Sequence, residues 1–192
     1  MPVSDGVDDI SCNKYRPKHE YTHIQEFIDN LPYMLMTAFG AIILFLGIKS
    51  LFWSLLAAGL FIFWGILGTI WFIIFICPYC HFYDTRACPC GYGQFAAKVR
   101  PKAPIEQFNE KFKRHIPIIF PLWFIPLIAG GIFLYNNFSI LMFTFIILFT
   151  IDSFILLPLI SRKYGCAHCP QKESCPWMTE KKTKVITSQQ GN

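Results

Sequence analysis

Two long apolar blocks dominate the chain, and charge almost never interrupts them. Between Leu31 and Ile76 the only charged residue is Lys49, and between Ile116 and Ile160 it is Asp152. A bilayer core about 30 Å thick takes roughly 20 apolar residues per helix, so each block is two spans long. Each also holds a turn near its middle, Gly47-Ile48-Lys49-Ser50 in the first and Tyr135-Asn136-Asn137 in the second. The pattern predicts spans over 31–48, 52–76, 116–134 and 138–160. Trp53, Tyr135 and Phe138 stand beside the turns, at the depth where interfacial aromatics collect. Apolar runs of this length leave no polar face for water, which argues against core helices of a soluble protein.

The flanking segments have a periodicity of their own. Tyr21, Ile24, Phe27 and Ile28 precede the first block, and Ile105, Phe108 and Phe112 precede the second. Steps of three and four put each set on one helical face, suited to lying among lipid headgroups. A proline follows (Pro32, Pro117), then a helical hairpin, then a cysteine motif: Cys77-x2-Cys80-x7-Cys88-Pro89 and Cys166-x2-Cys169-x5-Cys175-Pro176. This order, twice over, reads as a duplication whose copies share one orientation about an axis along the membrane normal.

The fold class expected is therefore an all-α integral membrane protein with four transmembrane helices. They form two repeated hairpins, each followed by a cytoplasmic Cys-rich metal-binding loop. The chain divides into an N-terminal segment with an amphipathic helix (1–30), hairpin 1 (31–76), a Cys-rich loop with an amphipathic helix (77–115), hairpin 2 (116–160) and a Cys-rich tail (161–192).

Composition agrees. The chain is 54% hydrophobic and 15% charged, where soluble proteins have about 45–50% apolar and about 25% charged residues. Of its 17 basic residues, only Lys49 falls inside the blocks; the rest lie in the N-terminal segment, the central loop and the tail. The positive-inside rule then puts both termini and the central loop in the cytoplasm, with the plasma membrane as the expected location. The net charge of +5 points to anionic lipid rather than nucleic acid as the neighbour. Asp5, Asp8 and Asp9 at the start do not resemble the basic opening of a secretory signal peptide, so the first span serves as an uncleaved insertion signal.

Seven of the eight cysteines fall in the motifs: Cys77, Cys80, Cys88, Cys90, Cys166, Cys169 and Cys175. Cytoplasmic thiols stay reduced, so a metal is the better reading than a disulfide framework. A two-residue gap lets one tight turn aim both sulfurs at a single ion, and two such pairs on one face are strong signals of Zn²⁺ or iron. The first motif alone offers four ligands, Cys77, Cys80, Cys88 and Cys90. The second offers three, with His168, His81 or His115 as a fourth. The pairs could also meet and share one ion. An iron–sulfur cluster is the alternative cofactor, since cysteine followed by proline occurs in ferredoxin-type runs. Cys12 reads as a small buried hydrophobe.

Asp152 is the sole ionisable residue of the expected spans apart from the turn lysine, and reads either as a functional carboxylate or as an interhelical hydrogen bond. No histidine lies within a span, which argues against a b-type haem. Cys175-Pro176-Trp177 resembles the end of the Asp-His-His-Cys box of membrane palmitoyltransferases, but Lys172-Glu173-Ser174 stands where the catalytic pair belongs. Four helices with Cys-x2-Cys resemble vitamin K epoxide reductase-like enzymes, whose redox pair works on the opposite side of the membrane. No constellation of nucleophile, base and orienter is visible. The expectation is a non-catalytic, zinc-binding membrane subunit or adaptor, meeting a protein in a membrane complex or a cytoplasmic protein. An iron–sulfur electron carrier and a thiol–disulfide oxidoreductase using Cys77/Cys80 or Cys166/Cys169 are the alternatives.

Overall fold

The structure is a computed structural model that describes residues 20–166 and residue 169. Helix α1 spans His23–Gly47 and α2 spans Leu51–Phe75. A short helix α3, Tyr92–Val99, lies in the central loop, and α4, Phe108–His115, precedes the second hairpin. Helix α5 spans Phe120–Asn136 and α6 spans Ile140–Ile151; α6 runs on through a π-helical turn at Asp152–Leu156, the four-residue α7 (Leu157–Ile160) and a second π-helical turn at Ser161–Cys166. No strand occurs among the described residues. Four helical stretches are long and apolar enough to cross a membrane: His23–Gly47, Leu51–Tyr79, Ile105–Asn136 and Ile140–Lys163.

The two amphipathic segments fold differently. The first is continuous with its span. Thr22 caps α1 in a reciprocal capping box with Gln25, so the helix starts at His23 and passes through Pro32 without a break. The backbone hydrogen bond lost at a helical proline is tolerated where neighbouring groups compensate. The second segment stays separate: 3₁₀ turns at Ile105–Gln107 and Ile116–Ile119 bracket α4, and Pro117 sits in the latter turn. Trp71 Nε1 donates to His115 Nδ1 at 3.2 Å, and His115 stacks on Phe75, so an aromatic cluster fastens α4 to the end of α2.

Helix α1 is the centre of the bundle and packs against α2, α5 and α6. Its buried face runs through Asp29, Pro32, Met36, Gly40, Ile43 and Leu44, at helical spacing. Lipid tails are as apolar as leucine, so helices in a bilayer associate through close packing and hydrogen bonds rather than the hydrophobic effect. Small residues supply that closeness here. A Cβ on Gly40 would come 2.5 Å from the Phe61 ring and 2.9 Å from Pro126, and one on Gly130 would come 2.8 Å from Ile146. Gly131 faces open space, so only the first glycine of that pair serves packing. The outward face of α2, from Leu51 and Phe52 to Leu67 and Ile70, is exposed and apolar, as a lipid-facing surface is.

The two inter-helix turns lie together at one end of the bundle, where Gly47, Lys49, Asn136, Asn137 and Ser139 line a common cavity. The central loop gathers at the other end, beside the start of α1: Tyr21 N–H donates to the Arg86 carbonyl at 3.0 Å. Asp152 is 2% exposed and opens a π-helical turn, and neither of its carboxyl oxygens meets a hydrogen-bond partner among the described residues. The interhelical bond expected of it is therefore not made there.

Candidate functional site

The end of α2 unwinds into a thiol-rich loop. Cys77, Pro78 and Tyr79 form a 3₁₀ turn after the helix, with proline where its missing N–H costs nothing. Cys80 N–H donates to the Cys77 carbonyl at 3.0 Å, which sets the two-residue gap as one tight turn. The chain then reverses. Asp84 takes a left-handed conformation (φ 56°), and its N–H donates to the Gly93 carbonyl at 3.2 Å. Gly91, at φ 74°, closes a turn back onto the Cys88 carbonyl and opens α3. A Cβ on Gly93 would overlap the Phe82 carbonyl oxygen, so the strand of loop before α3 can lie this close only over glycine.

A small core of Phe82, Ala87 and Cys88 results, with Cys80, Cys90, Tyr92 and Cys169 packed around it. Cys88, Cys77 and Cys169 lie near enough to Cys80 for their charges to repel if ionised. Burial pushes the Cys80 thiol up, against one backbone N–H, from Phe82, that favours the thiolate. Burial also raises Cys88, but here the nearby backbone amides of Gly93, Cys90, Tyr92 and Gly91 work in the opposite direction. Such amides favour an anionic sulfur.

Cys90 points elsewhere. Its thiol donates to Asp29 Oδ2 at 2.9 Å, and its carbonyl accepts from Asn30 Nδ2 at 3.0 Å. The Tyr92 hydroxyl donates to Asn30 Oδ1 at 2.6 Å. Burial and the neighbouring Asp29 carboxylate together hold the Cys90 thiol well above its ordinary range.

Of the residues expected to bind metal, Cys77, Cys80, Cys88, Cys90 and Cys169 are thus gathered at one end of the bundle, none of them in a disulfide. Cys166 ends the last helical segment. His168 and Cys175 lie outside the described residues. His115 is engaged with Trp71 and Phe75, and His81 lies edge-on to Phe82 at 6.4 Å. Among the described residues no three of the Cys, His, Asp and Glu side chains stand in an arrangement that would hold a metal ion as they are. The thiols are neighbours, not a closed coordination shell. Asp29, Asn30 and Tyr92 are the site residues that sequence reasoning passed over; the adjacent Asp29-Asn30 pair just ahead of an apolar run was the available signal.

Four helices of membrane-spanning length and apolarity, with a thiol-rich loop at one end of the bundle, define an all-helical protein of the polytopic membrane class. No family model matches the chain, and no curated protein or solved structure matches it.

Proposed function

We propose that this chain is a metal-binding membrane subunit or adaptor, in which zinc holds a Cys-rich platform on the cytoplasmic face of a four-helix bundle. The observation that carries the reading is the packing of Cys80, Cys88, Cys90 and Cys169 in one small cluster beside the turn that holds Cys77. Only Phe82, Ala87 and Cys88 are buried in that cluster, too little apolar surface to fold a loop unaided. A bound metal replaces the missing core, and its binding energy becomes folding energy. The basic residues of the loop and of both termini favour the cytoplasmic side. A platform of this kind serves to hold a protein of a membrane complex or a cytoplasmic partner. The succession of hairpin and cysteine motif in each half supports an origin by duplication.

Burial that raises Cys80 and Cys88 argues against an attacking thiol, which needs a lowered pKa and exposure. His115 is engaged with Trp71 and Phe75, and the cysteines packed in the cluster offer sulfur donors. That set suits zinc, and it equally suits an iron–sulfur cluster. An electron carrier between a cytoplasmic donor and a membrane partner is accordingly the second reading.

Anaerobically purified protein decides between them. Zinc in whole-number ratio to the chain, a colourless solution and loss of metal in Cys80→Ser are expected. Stoichiometric acid-labile sulfide with a brown colour would put the electron carrier first. Metal-free wild-type protein, indistinguishable from Cys80→Ser, would sink both.

A further inference from the structure

We propose that the thiol-bearing end of α1 and α2 binds a single-chain membrane amphiphile with an ammonium head. Its chain lies in a groove open to the lipid, and its head sits in a polar chamber beside Asp29. This site does not depend on the metal-binding reading above.

The groove has a volume of about 820 Å³ between α1, α2 and the start of α3, a size at which small molecules are commonly held. Its lining changes along α1. His23, Glu26 and Asn30 stand at the end near the loop, together with Gln94 of α3; Met34 and Ala38 follow, together with Ile62 and Ile66 of α2. At a rise of 1.5 Å per residue the distance from His23 to Ala38 is about 22 Å, against a bilayer core of about 30 Å. The groove therefore runs from headgroup level past the middle of the hydrocarbon. Phe27, Met34, Ile62 and Ile66 are exposed, so it opens sideways and admits a molecule from the bilayer. A long apolar chain with its polar head at the loop end matches this gradient.

A smaller chamber of about 200 Å³ adjoins the groove, and Asn30, Tyr33, Thr69, Cys90 and Tyr92 line both. Asp29 lines the inner chamber alone. It is 9% exposed, and its Oδ1 meets no hydrogen-bond partner among the described residues. Around it the side-chain donors are spent. The Cys90 thiol goes to Asp29 Oδ2 and the Tyr92 hydroxyl to Asn30 Oδ1. The Tyr33 and Thr69 hydroxyls both go to the Gly65 carbonyl, and the Asn30 amide goes to the carbonyls of Glu26 and Cys90. These side chains have only lone pairs left to offer a ligand, and the Ser161 hydroxyl can turn either way. No Lys or Arg is among the described residues that line the two cavities, and Glu26 adds a second carboxylate beside His23. A phosphate head would meet carboxylates without a cation. An ammonium head brings three donors to the waiting lone pairs and a charge opposite to that of Asp29. A carboxylate buried in a span is costly unless something pairs with it, and such residues mark functional sites.

Photolabelling of the full-length protein in phosphatidylcholine vesicles tests the site, with octadecylamine carrying a diazirine on its chain as the probe and mass spectrometry as the readout. Labelling should saturate and map to positions 27–38 of α1 and 62–69 of α2. Unlabelled octadecylamine should displace the probe at a concentration about tenfold below that needed of octadecanol or stearate, the margin of a hydrogen bond to a charged group. Asp29→Asn removes the charge and should weaken labelling by about the same factor. Ala38→Phe fills the groove from an exposed position, away from the polar end, and should abolish saturable labelling. Octadecanol or stearate displacing the probe as readily as the amine would overturn the ammonium head. Labelling that stays at the wild-type level in both variants, or spreads over the lipid-facing surface without saturating, would overturn the site. If Asp29→Asn does not accumulate, the displacement series and Ala38→Phe decide.

Discussion

The thiol of Cys90 donates to the carboxylate of Asp29 across 2.9 Å, joining the central loop to the innermost helix of the bundle. This pair makes the loop part of the helical body rather than an appendage. Asp29 lies on the buried face of α1 together with Met36 and Gly40, so whatever holds Asp29 also helps to seat α1.

Substitutions at Cys90 should separate the hydrogen bond from the sulfur. Cys90→Ser retains a donor for Asp29 and should unfold near the wild-type temperature in detergent. Cys90→Ala leaves the carboxylate without its donor and should cost about 1–3 kcal/mol, the usual penalty for a buried group left unsatisfied. Equal thermal midpoints for the two variants would show that the bond contributes nothing.

Glycines on the central helices should differ according to what faces them. Gly40→Ala places a methyl group against Phe61 and Pro126 and should destabilise the bundle by about 1–3 kcal/mol, the range for overpacking a tight contact. Gly59→Ala meets nothing within 4 Å and should be neutral or slightly stabilising, because alanine is the better helix former. Denaturation of both variants in the same detergent measures the contrast, and a loss at Gly59 equal to that at Gly40 would refute the packing account.

Asp152 stands buried with neither oxygen paired among the described residues. Leucine has the same branching without the polar atoms, so Asp152→Leu should leave the fold intact and raise its stability by about 1–3 kcal/mol. A destabilised variant would show that the carboxyl group has a partner, and π-helical turns such as the one it opens often accompany functional sites.

Sidedness is expected from the basic residues. A cysteine introduced at Ser188 should resist membrane-impermeant maleimide applied to intact cells, while one at Asn136, in the turn between α5 and α6, should react. The reverse pattern would invert the expected orientation.

The spans were legible in the sequence because insertion into a bilayer depends on local quantities. A run of about 20 apolar residues satisfies the thickness of the hydrocarbon whatever the rest of the chain does. The turns at Lys49 and Asn136-Asn137 and the exposed Trp53, Tyr135 and Phe138 follow from the same local rule. Helix boundaries were less legible: the capping box at Thr22 extends α1 back to His23 and absorbs a segment whose counterpart before α5 remains a separate helix.

The cysteine spacings raised the expectation of a metal, but equivalent thiols in a motif do not say which of them pack together. Tertiary contacts decided that. Cys88 meets Cys80 because glycine at 93 lets the loop close over Phe82, and Cys90 turns away because α1 presents Asp29 and Asn30 beside it. Cys169 reaches the same core from the far end of the chain. A span needs only its own residues and the lipid around it. A cluster that draws on positions 29, 80, 88, 90 and 169 exists only once the helices between them have packed, and no local pattern encodes that juxtaposition.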